Sequence, residues 1–305
     1  MGRFHAGEQA LQARLNPALP ARMQQTAAMA IREFMPDQHR DFFAMLPTLF
    51  VGSVDEEGRP WASVLSGQPG FVLSPDPRSL HVAAKPVAGD PLNDHLRLGA
   101  QLGLLGLQPE TRRRNRMNGR ITTLDDSGFT VEVEQSFGNC PQYIQARAPR
   151  FAAASETPRL LRETAILSPR AATMLAEADT LFIATSADGE GVDVSHRGGR
   201  PGFLRVEEKD GATRITLPDF RGNKFFNTLG NIALNPRAGL LVVDYATGDL
   251  LQLTARAEIV WDGPEVDSFA GAERLLRLTV EEGHIIEGGL PLRWSDPDYA
   301  PQLAG

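Results

Sequence analysis

The sequence is poor in the residues from which metal and disulfide sites are built. Its 305 residues include one cysteine, Cys140, which excludes an intrachain disulfide framework and any zinc or iron–sulfur site made of several cysteines. The six histidines form no HxH or HxxxH pair. A metal site would therefore have to be assembled by the fold from distant positions, and we predict none.

Long apolar runs and an excess of positive charge are also missing. No apolar run approaches the roughly 18 residues that a membrane-spanning helix needs. The N-terminal segment has scattered charges and lacks the apolar core of a secretory signal. We therefore expect a cytoplasmic protein with no membrane partner. The formal net charge of −7 argues against nucleic acid as a partner, because nucleic-acid binders neutralise phosphates with a basic face.

The chain does contain an internal repeat, and its length allows about two domains. Residues 48–71 align without a gap on residues 180–203, with eight identical positions of 24. Further on, residues 103–120 lie over residues 239–256, with the order of apolar run, turn and second apolar run retained. The sequence therefore predicts two similar units in tandem, which we call copy 1 and copy 2.

Each copy is predicted to be a small barrel, so the fold class is mainly β with helices. In copy 2 the segment at 225–232 has apolar residues at helical spacing, and Pro236 stops this helix. A sheet so rich in strands favours a closed barrel, which leaves no exposed edges. Strands are predicted at 181–185, 191–196, 202–208 and 213–217, and in a closing hairpin at 239–261.

The repeat sets the expected domain boundaries. Residues 1–47 form an N-terminal helical segment, with a helix from about 20 to 46 interrupted at Pro36. Copy 1 occupies 48–150, and copy 2 with a C-terminal tail occupies 151–305. Ser168 and Pro169 mark a helix start that leads into copy 2, as the segment after Pro36 leads into copy 1.

The two copies differ where an anion would bind. Copy 2 has Gly222-Asn223-Lys224 at the predicted start of its internal helix, and a helix N-terminus with free amides and a lysine in its first turn suits a phosphate. Copy 1 has Gly89-Asp90-Pro91 there, and an aspartate repels a phosphate. Copy 2 also has Ser195-His196-Arg197 where copy 1 has Ser63-Val64-Leu65. We therefore predict that copy 1 is degenerate for phosphate binding.

Copy 1 has a basic hairpin of its own at 112–116, with Arg114 and Arg116 within it. If the copies pack as an intrachain pseudo-dimer, this hairpin would supply positive charge to the site of copy 2 from across the interface. The alternative is a basic turn that faces solvent.

The stretch LPDFRGNKFFNTLGNIALNPRAGLLVVDYATGDLLQLTARAEI in copy 2 resembles the FMN-binding split barrel of the pyridoxamine 5′-phosphate oxidase-like superfamily. The chain is similar to its tandem members that carry an FHAGE-type segment, an FGNCP-YIQ segment and an LPLRW tail. The resemblance implies two tandem split barrels with FMN bound between them. It implies that Arg197, Asn223 and Lys224 hold the phosphate, that Ser195, His196 and Arg197 face the flavin ring, and that Asp219, Phe220 and Arg221 lie along the ribityl chain.

Three further residues have a functional and a structural interpretation. Trp294 would close over the flavin or would be a tail residue covering the barrel. His196 would be a catalytic base or a residue of the barrel rim. Cys140 would be a thiol near the flavin or a small buried residue capping barrel 1.

We therefore expect an FMN-dependent oxidoreductase acting on a small substrate or on NAD(P)H, with the cofactor supplying the redox chemistry. One alternative is a non-catalytic flavin or small-ligand binding module, and another is the same fold holding heme or a deazaflavin. The chain is expected to be a monomer with an internal pseudo-dimer, or a homodimer.

Overall fold

The computed structural model describes residues 3–153 and 157–303, and most of its regular structure is β-sheet. The N-terminal segment forms three helices: α1 (Ala6–Leu15), α2 (Leu19–Ala30) and α3 (Asp37–Ala44). The predicted interruption at Pro36 is confirmed, because Pro36 is the N-cap of α3. The first of the three helices lies ahead of the predicted helix.

Copy 1 is an antiparallel sheet of seven strands in the order β2-β1-β5-β6-β7-β4-β3. A four-residue helix, α4 (Leu92–His95), and a 3₁₀ turn (Pro109–Thr111) lie within it. Its strands are β1 (Thr48–Val54), β2 (Pro60–Ser66), β3 (Val72–Leu73), β4 (Ser79–Val82), β5 (Gln101–Gln108), β6 (Arg113–Asp125) and β7 (Gly128–Gly138).

A connector leads to copy 2 through β8 (Pro149–Phe151), β9 (Arg159–Glu163) and α5 (Pro169–Glu177). Ser168 caps α5 by accepting a hydrogen bond from the Ala171 amide at 3.2 Å, as its sequence predicts. The strands of copy 2 are β10 (Thr180–Ala187), β11 (Gly191–Gly198), β12 (Arg205–Lys209), β13 (Ala212–Phe220), β14 (Arg237–Val243), β15 (Leu250–Val260) and β16 (Ala272–Glu287).

The strand order of copy 2, β11-β10-β14-β15-β16-β13-β12, is that of copy 1 with each strand replaced by its counterpart. The two copies are therefore tandem split barrels with the same topology, which confirms the predicted repeat and fold class. The seventh strand of copy 2, β16, runs through residues that the sequence assigned to a tail. It pairs with β13, β15 and β9, so it is an integral part of the sheet.

The closed barrel expected from the strand content is open in one place. Among the described residues, β11 and β12 end the sheet of copy 2 and share no backbone ladder with each other. The internal helix α6 (Asn227–Leu234) packs on β10, and the chain continues after β15 through α7 (Pro264–Asp267). The C-terminal part holds β17 (Leu292–Trp294), paired with β8, and a 3₁₀ turn (Pro301–Leu303).

A local twofold axis relates the copies and passes between two equivalent aromatic rings. Phe50 of copy 1 and Phe182 of copy 2 stack with their ring centroids 3.6 Å apart and their planes 13° apart. They are aligned positions of the repeat, and both are buried in the cluster that joins the two barrels. The intrachain pseudo-dimer predicted from the repeat is therefore present.

Equivalent glycines allow each barrel to approach the other. A Cβ atom on Gly103 would lie 2.6 Å from the carbonyl oxygen of Val192, and one on Gly239 would lie 2.4 Å from that of Pro60. Gly103 and Gly239 are aligned, and so are Val192 and Pro60. Both contacts are backbone against backbone, so neither has a side chain that can move aside.

None of the described helices is long and apolar enough to cross a membrane.

Replacing Gly239 by alanine should separate the barrels, because the new methyl group meets backbone at a distance that no side chain adopts. We expect the free energy of unfolding to fall by about 1–3 kcal/mol, measured by denaturant titration. Gly138→Ala is the matched control, since the nearest atom to its Cβ lies 3.5 Å away. Equal losses in both variants would contradict a specific role of Gly239 at the interface.

Candidate functional site

A cavity of about 150 Å³, the inner cavity, lies where β11 and the end of β13 in copy 2 meet β6 of copy 1. Its lining comes from both copies and from the connector. It includes ten residues predicted from the sequence, namely Arg114, Arg116, Ser195, His196, Arg197, Asp219, Phe220, Arg221, Asn223 and Lys224. The structure thus brings these ten together, while their assignment to a cofactor stays a prediction.

Trp294 lies elsewhere. Its ring packs edge-on against Tyr245, with the centroids 5.0 Å apart, and its strand pairs with β8. It belongs to the cluster between the barrels and does not line the inner cavity. The structure therefore favours the interpretation of Trp294 as a tail residue that packs on the barrels.

Arg116 reaches from copy 1 into the wall of copy 2. It is 3% exposed, its Nη1 donates to Asp193 Oδ1 at 2.9 Å, and its Nη2 donates to Ser195 Oγ at 2.5 Å. Asn118 also donates to Asp193 at 2.8 Å, and Thr228 donates to Ser195 at 2.9 Å. Arg116 is therefore held rigidly by a carboxylate that sequence analysis did not single out, because a pairing across two strands leaves no local signal.

The equivalent position of copy 1 is closed by side chains. Gln252 of copy 2 reaches back across the interface and donates to Ser63 Oγ at 3.1 Å and to Asp90 Oδ2 at 3.2 Å. Ser63 donates to the other oxygen of Asp90 at 2.6 Å. Asp90 is 2% exposed, and burial raises its pKa to about 6. A buried carboxyl group thus occupies the region where copy 2 has its cavity.

His196 is held by Arg114, whose Nη1 lies 3.1 Å from His196 Nδ1. A guanidinium can only donate, so Nδ1 accepts and the proton of the neutral ring is inferred to lie on Nε2. Burial, with the charges of Arg114 and Arg197, holds the pKa of His196 well below its ordinary value. This geometry makes His196 a hydrogen-bond donor and disfavours its interpretation as a base.

Positive charge exceeds negative charge around the inner cavity. Its acidic lining residues are Asp219 and Glu273. Asp219 contacts Arg197 at 2.5 Å and Arg274 at 3.5 Å, and Glu273 also pairs with Arg274. Among the described residues, no carboxylate lies within 4.0 Å of three lining cations, Arg114, Arg221 and Lys224. The cavity therefore suits an anion.

Several buried N–H groups around the cavity have no acceptor within the described part of the chain. An unpaired buried donor costs about 1–3 kcal/mol, so such a cluster points to a ligand rich in acceptor oxygens. The groups are Nε of Arg114, Arg116, Arg197 and Arg274, and Nε2 of His196. A phosphate-bearing ligand fits this donor set.

The loop before α6 differs from its sequence prediction. The helix begins at Asn227, and both Lys224 and Phe226 adopt left-handed backbone conformations, with φ of +63° and +64°. Such residues cannot continue a right-handed helix. Lys224 therefore precedes the helix on an exposed loop and is not in its first turn, and the Asn223 side chain accepts from the Phe225 amide at 3.0 Å.

The connector and β16 supply lining residues that were not predicted as ligands. Tyr143 stacks on Phe220 with ring centroids 5.0 Å apart, and Asn139 and Arg274 also line the cavity. Cys140 is exposed within this wall, so its interpretation as a buried residue capping barrel 1 is wrong. The FGNCP-YIQ segment was the available signal for the connector residues, whereas nothing in the sequence marked β16.

Helix α1 packs against the first turn of α6. A Cβ on Gly7 would lie 2.2 Å from the carbonyl oxygen of Gly230, so the two helices cross in close contact. Glu8 accepts from Asn227 Nδ2 at 2.6 Å and from the His5 amide at 2.9 Å. Burial, reinforced by Asp193, raises the pKa of Glu8 to about 8. The N-terminal segment is thus part of the support of the cavity.

The family model described as pyridoxamine 5′-phosphate oxidase matches residues 167–287. This range contains all seven strands of copy 2 together with α6. The second copy is a split barrel of the pyridoxamine 5′-phosphate oxidase-like family. Copy 1 repeats the topology of this family barrel, and the cavity lies between the two.

The split barrel is similar to several solved structures, while no curated protein matches the chain. A putative pyridoxamine 5′-phosphate oxidase from Lactobacillus delbrueckii is 16% identical, with 40% of this chain and 94% of that chain covered and a TM-score of 0.32. An FMN-binding protein from Syntrophomonas wolfei is 12% identical (36% and 80% covered, TM-score 0.28). The heme storage protein HutZ from Vibrio cholerae is 16% identical (40% and 95% covered, TM-score 0.28).

Stability should fall as pH rises through the pKa of Glu8. Its folded pKa of about 8 lies above the ordinary 4.5, so the folded state retains a proton that the unfolded chain has lost. We expect the free energy of unfolding to drop by about 1 kcal/mol between pH 7 and 8, measured by denaturant titration, and Glu8→Gln to remove this drop. Parallel pH profiles of the two proteins would refute the assignment.

Proposed function

We propose that this chain binds FMN in the inner cavity and acts as an oxidoreductase on a small substrate or on NAD(P)H. The observation that carries the proposal is a cavity built by both barrels in which Arg114, Arg221 and Lys224 have no carboxylate partner in the described chain. An anionic ligand would neutralise this excess. The family of the second copy supports a flavin as that ligand.

Different residues would contact the phosphate, the ring and the ribityl chain of the cofactor. Arg197, Asn223 and Lys224 would hold the phosphate, since Lys224 is an exposed lining residue of the cavity and Arg197 Nε has no acceptor in the part of the chain that the structure describes. The strand edge from Ser195 to Arg197 would face the flavin ring, and the end of β13, with Asp219 and Phe220, would follow the ribityl chain.

Arg114 and His196 would act together on the ring side. Arg114 stays cationic at neutral pH although burial lowers its pKa to about 10. It fixes the tautomer of His196, whose Nε2–H is then a rigid donor for an acceptor atom of the ligand. When bound, the flavin would supply the exchange of hydride or electrons, and these residues would bind and orient it.

Lys224→Glu should weaken flavin retention about tenfold or more, because a charge-assisted contact is replaced by repulsion. The measurement is the flavin absorbance of the purified protein and a titration of stripped protein with FMN. Lys209→Glu is the matched control, with the same charge change on the exposed end of β12. Full flavin retention in Lys224→Glu would show that the phosphate is held elsewhere.

Anaerobic mixing of the holoprotein with NADPH or NADH tests the catalytic half of the proposal. We expect the flavin absorbance to bleach. Persistent flavin peaks would favour a binding module without this activity. A Soret band in the purified protein would identify heme, and the mass of the released cofactor would identify a deazaflavin.

A further inference from the structure

A second cavity, the outer cavity, adjoins the inner one and has a volume of about 330 Å³. Phe203, Pro218 and Phe220 line both, so a single layer of side chains separates them. The outer cavity is completed by Arg205 on β12 and by the segment after α7 that holds Ser268 and Phe269.

The inner cavity is smaller than a site that encloses a whole nucleotide, so a bound FMN would extend beyond it. Pockets that bury a ligand typically measure about 300–1,000 Å³, whereas this one measures about 150 Å³. A ligand whose phosphate rests on the inner cations must therefore extend outward. Arg221 follows directly on Phe220, which lines both cavities, and Lys224 is exposed three residues further on, so two cations lie close in sequence to the shared wall.

The outer cavity is lined by the aromatic rings of Phe203, Phe220 and Phe269 and by one cation, Arg205. The guanidinium of Arg205 lies over the Phe269 ring, 4.3 Å from its centroid, and donates to Ser268 Oγ at 3.1 Å. No carboxylate lies within 4.0 Å of Arg205 in the described chain. Phe220 stacks on Tyr143 in a nearly parallel pair. Stacked guanidinium and aromatic groups are the surfaces on which nucleobases bind.

We propose that the outer cavity binds an adenosine group whose phosphates lie against the cations of the inner cavity. This inference rests on the proposed function, because it needs a nucleotide phosphate at the inner cavity. The adenosine can come from two sources that share this chemistry. One is the adenylate half of FAD, which would make the resident flavin a dinucleotide, and the other is the adenylate half of the electron donor NAD(P)H.

The cofactor released from the purified holoprotein by heating is first identified by chromatography. Release of FAD supports the first source. Release of FMN, together with ADP that binds the holoprotein and competes with reduction by NAD(P)H, supports the second. Release of FMN with no binding of ADP overturns the inference while leaving the proposed function intact, whereas absence of any bound or bindable flavin overturns both.

Variants then locate the subsite. In protein stripped of its cofactor, Phe269→Ala and Arg205→Gln should each weaken binding of ADP about tenfold, as loss of one stacking partner does, and should change the affinity for FMN less than twofold. Phe151→Ala is the control, since this half-exposed ring lies on β8 away from both cavities. Arg205 is exposed, so its variant should fold even where Phe269→Ala does not. Unchanged ADP affinity in Arg205→Gln would overturn the assignment.

Discussion

The contact between the two barrels is the constraint on which the rest of the structure depends. Phe50 and Phe182 stack at the local twofold axis, and Gly103 and Gly239 let strands of opposite barrels meet backbone to backbone. This approach carries β6 of copy 1 against β11 of copy 2. Without it, Arg116 would be an isolated charge on one sheet and Asp193 an isolated charge on the other, and each would be costly to bury alone.

The local twofold axis relates the two barrels, yet the two equivalent sites differ. At one, Arg116 crosses the interface to Ser195, and the surrounding cations leave an open, positive cavity. At the other, Gln252 crosses to Ser63 and the space is taken by a buried carboxyl group. Arg116 and Gln252 are equivalent positions that cross the same interface, but Arg116 borders a cavity, whereas Gln252 joins a closed hydrogen-bond network with Ser63 and Asp90.

The positive charge of the inner cavity depends on the residues that hold its arginines in place, as well as on its exposed cations. Asp193 and Asp219 hold Arg116 and Arg197 in place, yet the Nε atoms of both arginines have no acceptor among the described residues. Burial, with the charges of Arg114 and Arg197, holds the pKa of His196 well below its ordinary value, and the contact with Arg114 fixes which ring nitrogen donates. Helix α1 packs against the first turn of α6 at the close contact between Gly7 and Gly230. The donors are therefore positioned before a ligand arrives, which lowers the entropic cost of binding it.

The sequence itself determined the repeat, the strand content, the helix after Ser168 and the loss of charge in copy 1. Turns, caps and charges act locally, and alignment of the two copies exposes their differences. Tertiary structure decided the partners of Arg116, the place of Lys224 ahead of the helix, the position of Trp294 and the central role of β16. Each depends on contacts between residues far apart in the chain, and on a barrel interface whose geometry follows from packing and backbone approach.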